Sequence, residues 1–181
     1  MLERQAIVNK QDMLRPVDLI VALALAVVKG AQSSTYAELA RRLGMSSSTA
    51  FKAVKRLQSS GLLRPGTREP NLHALRGFLE HGARHAFPPV LGREARGVPT
   101  AHAGPALRDL FDSERPLVWP EARGSARGTS LTPLYPKATA LPEREPEVYS
   151  ALTLVDALRV GQARERTAAL AALDAMLSGH A

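Results

Sequence analysis

The sequence predicts a mainly helical (α+β) fold, and three observations lead to that prediction. In the first 70 residues, apolar residues recur at helical spacing between helix-start and helix-stop signals. Ten of the 13 prolines lie between Pro88 and Pro146, where they exclude long helices. No proline follows Glu147, and helical spacing returns there. We therefore expect a helical N-terminal domain (1–70), a connecting helix (71–86), an irregular proline-rich region with short strands (87–146) and C-terminal helices (147–181).

The composition excludes several classes of protein. The 181 residues contain no cysteine, so disulfides, thiolate zinc sites and cysteine nucleophiles are excluded, and a reducing compartment is expected. The longest apolar run, residues 19–28, is half of the roughly 20 residues that a membrane span needs. Acidic residues precede this run and no small-residue cleavage site follows it, which argues against a signal peptide. We expect a cytoplasmic protein without a membrane partner.

The positive charge is concentrated near the N-terminus. The chain has 24 Lys+Arg and 17 Asp+Glu, a formal net charge of +7. Between Lys29 and Arg68, eight cationic side chains accompany a single acidic one, Glu38. A basic cluster of this kind indicates a polyanionic partner, most simply nucleic acid.

Two helices are predicted before residue 45. Pro16 and Asp18 suit a helix start, and the apolar residues that follow continue to Val28, before Gly30. A second start has the T-x-x-E spacing of a capping box, Thr35 to Glu38, and this helix is expected to end at Gly44. The first helix is expected to be buried on most sides, because it is almost entirely apolar.

A third helix is predicted immediately after a short glycine turn. Ser46 is a suitable N-cap, and Ala50, Val54 and Leu57 form one apolar stripe. The opposite face is predicted to carry polar and cationic residues, with Phe51 at its margin; these residues are Ser47, Ser48, Lys52, Lys55 and Arg56. Two helices joined by a glycine turn, the second with a basic outer face, are typical of a helix-turn-helix, whose second helix enters the major groove.

Residues 39–50 (LARRLGMSSSTA), 54–57 (VKRL) and 61–63 (GLL) resemble the core of bacterial winged helix-turn-helix regulators of the MarR type. The resemblance covers roughly residues 16–70. It implies that the start and the basic residues of the third helix contact DNA, and that two arginines of the second helix lie near phosphates. The residues concerned are Ser47, Ser48, Thr49, Lys52, Lys55 and Arg56 for the first group, and Arg41 and Arg42 for the second.

The sequence departs from this family where the wing is expected. Pro65 and Gly66 are soon followed by Pro70 and by Asn71, a suitable cap for the connecting helix. We therefore predict a short wing, from which Arg64 and Arg68 still reach a phosphate or the minor groove.

The remaining segments suggest supporting structure. Residues 117–119 and 131–135 are predicted to pair as short strands, Trp119 to give apolar cover, and residues 105–111 to form a short helix. Arg96-Gly97 and Arg127-Gly128 are similar dipeptides that we interpret as loop arginines beside turn glycines. The apolar stripes of the tail either close a core or pair with a second copy of the chain.

The sequence offers little for catalysis, cofactors or metals. The phosphate-binding, dinucleotide-binding, GxSxG and HExxH motifs are absent from the sequence. His81 and His85 have i, i+4 spacing, but no glutamate follows His81 and no third ligand is evident. The prediction is a non-enzymatic protein without a cofactor or a metal site.

The sequence thus predicts a transcriptional regulator that binds double-stranded DNA as a homodimer. An alternative stays open, in which the chain is an antitoxin-like protein that regulates itself through DNA binding. Its proline-rich half would then hold a partner toxin.

Overall fold

The structure, a computed structural model, describes residues 13–111 and 115–179. The N-terminal part contains three helices, α1 (Pro16–Val27), α2 (Tyr36–Leu43) and α3 (Ser47–Ser59). Three strands follow in the proline-rich region, β1 (Leu91–Thr100), β2 (Leu117–Pro120) and β3 (Ala126–Leu131). The C-terminal part contains α6 (Leu141–Arg144), α7 (Pro146–Val160) and α8 (Ala163–Ser178). The predicted α+β class is confirmed.

Local capping signals determine where α2 and α3 begin. The Thr35 hydroxyl accepts a hydrogen bond from the Glu38 amide, and the Glu38 carboxylate accepts one from the Thr35 amide at 2.7 Å. The Ser46 hydroxyl accepts a hydrogen bond from the Thr49 amide at 3.1 Å. Between the two helices Gly44 has a φ of +69°, a left-handed conformation that glycine adopts without steric cost. These elements lie where the sequence predicted them.

The wing is reduced to a minimal hairpin. Leu63 and Pro70 form a single antiparallel bridge, and the Arg64 amide donates to the Glu69 carbonyl oxygen. The chain then enters a helical segment capped by Asn71, whose side chain accepts from the Ala74 amide. This segment consists of α4 (Leu72–Gly77), a π-helical turn (Phe78–Gly82) and α5 (Ala83–Ala86). The short wing and the connecting helix therefore agree with the sequence.

The three strands of the proline-rich region form a small closed sheet. β1 pairs antiparallel with both other strands, and β2 pairs parallel with β3 through Leu117–Thr129 and Val118–Ser130. The sheet is tight at its glycines. A Cβ added to Gly97 would lie 2.1 Å from the Trp119 carbonyl oxygen, and one added to Gly128 would lie 1.8 Å from that of Pro116.

Several predictions for this region are wrong. β1 was not predicted. The strand predicted over residues 131–135 is also wrong, because β3 ends at Leu131 and residues 132–135 lie outside it. Residues 105–110 form turns instead of a helix. Arg96 and Arg127 are not loop residues, since they face each other in register on β1 and β3. The predicted burial of Trp119 is confirmed.

One continuous hydrophobic core joins the N-terminal and C-terminal helices. Residues 18–28 of α1 and its exit are all buried, and α1 packs against both α3 and α7. α8 packs along α7 and buries Ala169, Leu173 and Leu177. Within this chain, the apolar stripes of the tail therefore close a core.

Candidate nucleic-acid interface

The start of α3 presents small polar side chains to solvent. Ser46 caps the helix, its hydroxyl lies 2.9 Å from that of Thr49, and Thr49 is half-buried. Ser47 and Ser48 are exposed. The N-terminal turn of α3 therefore carries several hydroxyl groups, and the Ser46 cap holds the Thr49 amide in place.

The exposed face of α3 continues with two lysines and a phenylalanine. Lys52 and Lys55 are both exposed, as predicted from the apolar stripe on the opposite side. Phe51 is 44% exposed, and its ring meets that of Tyr36 edge-on at 5.3 Å between centroids. The ammonium of Lys55 lies 5.6 Å from the centre of the same ring. Phe51 is thus part of the exposed face, whereas the sequence predicted it only at the margin of that face.

Arg56 is a correction to the predicted face. Its side chain is buried and donates two hydrogen bonds to the fully buried carboxylate of Asp18, from Nε at 2.7 Å and from Nη2 at 2.5 Å. This hydrogen bonding to Asp18 raises the pKa of Arg56 above its usual value. Arg56 therefore joins α3 to α1 and is not available to DNA. The sequence did contain a signal for this pair, because Asp18 opens an apolar helix and a buried carboxylate there needs a cationic partner.

The two arginines of α2 have different surroundings. Arg41 is exposed, whereas Arg42 forms a two-point ion pair with Glu145, from Nε at 2.5 Å and from Nη2 at 3.1 Å. The Glu145 carboxylate raises the pKa of Arg42. Arg42 thus connects the helix-turn-helix to the segment that precedes α7, while Arg41 stays open to a ligand.

The two arginines of the wing also differ. Arg64 is exposed and forms only a surface ion pair with Glu69, at 3.2 Å. Arg68 is half-buried, donates to the Ser34 carbonyl oxygen and lies over the Tyr36 ring, 4.6 Å from its centre. Arg68 therefore holds the wing against the start of α2, and Arg64 is the more accessible of the two.

The only acidic residue of the basic window serves as a helix cap. The Glu38 carboxylate accepts hydrogen bonds from the amide and hydroxyl of Thr35, and these lower its pKa. This carboxylate is directed at the start of its own helix, α2, and also interacts electrostatically with Arg41, whereas α3 carries no acidic residue.

Two of the described histidines lie close to α8. His81 and His85 line an open cleft beside α8 together with arginine and apolar side chains. In the two described ranges, no three His, Asp or Glu side chains are grouped as metal ligands would be. None of the helices described is long and apolar enough to cross a membrane.

Two helices joined by a glycine turn, a minimal wing and an exposed cationic third helix define a winged helix-turn-helix, the class of fold that binds duplex DNA. Residues 14–71, about a third of the chain, match the family model described as MarR family. This segment of the chain is therefore similar to the MarR family. Comparisons of the chain with curated proteins and with solved structures found no significant match.

Proposed function

We propose that this chain regulates transcription by placing α3 in the major groove of duplex DNA. The observation that carries the proposal is the exposed face of α3 within a MarR-like segment, with hydroxyls at its start and two lysines behind them. The major groove is about 12 Å wide and admits a helix.

The residues proposed for this surface divide into two roles by their chemistry. Hydroxyl groups at the helix start, on Ser47, Ser48 and Thr49, are suited to hydrogen bonds with base edges. The cations are suited to phosphates, and they comprise Lys52, Lys55, Arg41 and Arg64. Phe51 adds an apolar surface of the kind that contacts a thymine methyl group.

We further propose that the chain acts as a homodimer. Helix-turn-helix proteins commonly bind as dimers whose two reading helices meet half-sites about one helical turn apart. Sedimentation velocity of the full chain would test this directly, since a species of one chain mass at micromolar concentration would contradict it.

The structure favours this function over an antitoxin-like role. The proline-rich region packs into the chain's own core, where Trp119, Leu131 and Leu141 are fully or almost fully buried. A region that wraps a partner is expected to leave such side chains uncovered when it is alone. Copurification with the product of a neighbouring reading frame would support the antitoxin alternative instead.

The DNA-binding function is tested with a matched pair of charge variants. Lys52→Gln with Lys55→Gln should weaken binding to a labelled duplex of the chain's own upstream DNA, because each lost phosphate contact reduces the salt slope by about 0.9. The control, Arg84→Gln with Arg164→Gln, removes two exposed charges near the C-terminal end of α7. Titrations at several salt concentrations, with melting temperatures for each variant, provide the comparison.

The expected result is a slope shallower by about 3.6 for the lysine variant, because each of the two chains loses two contacts, and an unchanged slope for the control, with melting temperatures near that of the parent. Equal binding by the parent and the lysine variant would overturn the proposed role of α3.

A further inference from the structure

The segment from Tyr135 to Glu145 is attached to the turn of the helix-turn-helix. The Tyr135 hydroxyl donates to the Gly44 carbonyl oxygen at 2.9 Å, and Arg144 donates to the Arg41 carbonyl oxygen at 3.3 Å. The ion pair of Arg42 with Glu145 lies in the same place. Part of the chain outside the MarR-like segment is therefore fixed beside the residues that lead into α3.

This attachment brings two further cations to the turn. A Cβ built on Gly44 would lie 3.3 Å from Nη1 of Arg144 and 3.8 Å from Cδ of Lys137. Both cationic side chains are exposed. Gly44 is only two residues before Ser46, the cap of α3, so these cations flank the helix start that we place in the groove.

One of these two cations, Arg144, lines a cleft that is rich in arginine. Its volume is about 440 Å³, and its lining residues are Arg41, Arg42, Arg144 and Glu145. Glu145 is paired with Arg42, and Glu147 also acts on the charge of Arg42. Within the described part of the chain, Arg41 and Arg144 form no ion pair, so two guanidinium groups remain for an external anion.

The position of the cleft beside the start of α3 favours a phosphate as the anion. A helix in the major groove has a sugar-phosphate strand on each side, and that groove is about 12 Å wide. Cations beside the first turn of such a helix are therefore close to a backbone phosphate. Guanidinium groups are well suited to phosphate, because their donors match its oxygens in a two-point geometry.

We propose that this cleft binds a DNA backbone phosphate, with Arg41 and Arg144 as direct contacts and Lys137 beside them. The proposal rests on the function proposed above and extends the DNA-binding surface beyond residues 14–71 to the segment before α7. Glu145 limits the charge of the cleft, because it neutralises Arg42.

The first test removes the two cations that lie outside the MarR-like segment. The full chain with Lys137→Gln and Arg144→Gln is titrated with a labelled duplex of about 30 base pairs, or three helical turns, from its own upstream DNA. Each of the two chains of the proposed homodimer loses one direct contact, that of Arg144, so the salt slope should be shallower by about 1.8 and the affinity ratio between 50 and 200 mM salt should fall by about twelvefold. The control is again Arg84→Gln with Arg164→Gln, about 20 Å away along the 15-residue α7.

A second variant changes the cleft in the opposite direction. Glu145→Gln removes the carboxylate that neutralises Arg42 on each chain, so binding should become tighter and the salt slope steeper by about 1.8 for the proposed homodimer. Melting curves of all variants show whether each of them is folded at the titration temperature.

The proposal is overturned if the Lys137/Arg144 variant keeps the parent's slope, or if the control loses as much as it does. An unchanged or shallower slope for Glu145→Gln would also count against it. Binding that depends on Lys52 and Lys55 but not on Lys137 and Arg144 would refute this inference alone. DNA binding that does not change when Lys52 and Lys55 are replaced would instead refute the proposed function.

Discussion

Two buried carboxylates, Asp18 and Asp156, each pair with an arginine, but they connect different parts of the molecule. Asp18 lies in the first turn of α1 and accepts hydrogen bonds from Arg56 of α3 and from the Arg15 amide. Asp156 lies within α7 and accepts from Thr100 of β1 at 2.8 Å and from Trp119 of β2 at 2.7 Å. Asp18 therefore fixes a helix against a helix, whereas Asp156 fixes the sheet against a helix.

The second network is the larger of the two. Arg159 donates to Asp156 at 2.6 Å and also to the carbonyl oxygens of Phe87 and Pro88. Burial raises the pKa of Asp156, and the hydrogen bonds and the charge of Arg159 act in the opposite direction. Three groups thus depend on this carboxylate, namely the Thr100 hydroxyl, the Trp119 indole N–H and the Arg159 guanidinium, because each would lose a partner for a buried polar group without it.

The largest expected effect comes from breaking the Asp156 network. Asp156→Ala leaves the Arg159 guanidinium buried without its carboxylate and removes the acceptor for Trp119 and Thr100. We expect a loss of about 3–5 kcal/mol in the free energy of unfolding, and a melting temperature lower by about 10 °C or more. Denaturant unfolding checks this, with Asp156→Asn as the milder change. A loss below about 1 kcal/mol would show that the network is not structural.

A smaller loss is expected when the Asp18 pair is broken. Arg56→Met leaves Asp18 buried and unpaired, and should cost about 2–3 kcal/mol. Adding Asp18→Asn removes the isolated charge and should restore part of that loss, which a double-mutant cycle measures.

The Arg56 variant also distinguishes a buried position for this arginine, beside Asp18, from a position on the DNA-facing surface. Because Arg56 is buried, Arg56→Met should weaken DNA binding less than the Lys52/Lys55 variant when both are folded. Normal stability combined with lost DNA binding would instead place Arg56 on the DNA-facing surface.

The smallest effect concerns Glu38, a carboxylate with a capping role like that of Asp18 but fully accessible to solvent. The pKa of Glu38 is lower in the folded protein than in the unfolded chain, where it is about 4.3. Glu38 therefore stabilises the folded state when the pH is above that unfolded pKa, and this stabilisation is lost as the pH falls through the folded pKa. Glu38→Gln should therefore lower the melting temperature slightly at pH 7 and by less at pH 3. A difference that grows on acidification would contradict this role.

The two regions also differ in how far their structure follows from sequence. Thr35, Ser46 and Asn71 each cap a helix where predicted, because a cap depends on side chains only three residues apart. β1 depends on pairing with strands 17 to 40 residues away, and its polar, glycine-containing sequence has no alternating pattern. The close approach of Gly97 to the Trp119 backbone exists only once the sheet has formed.

The candidate site shows the same distinction. The exposure of Ser47, Ser48, Lys52 and Lys55 follows from the apolar stripe of a single helix. Arg56 lies at the edge of that stripe, and only the position of Asp18 on another helix decides where its side chain points. Arg144 and Lys137 were not predicted because about 100 residues separate them from the turn that they contact.

The burial of α1 on all sides has a consequence for engineering and for evolution. Since α1 packs against α3 and also against α7, it belongs to two layers at once. Cutting the chain after residue 71 would strip the cover from one flank of an almost wholly apolar helix. Residues 14–71 are therefore not a transferable module here, and a fusion or chimera built from them must carry α7 as well.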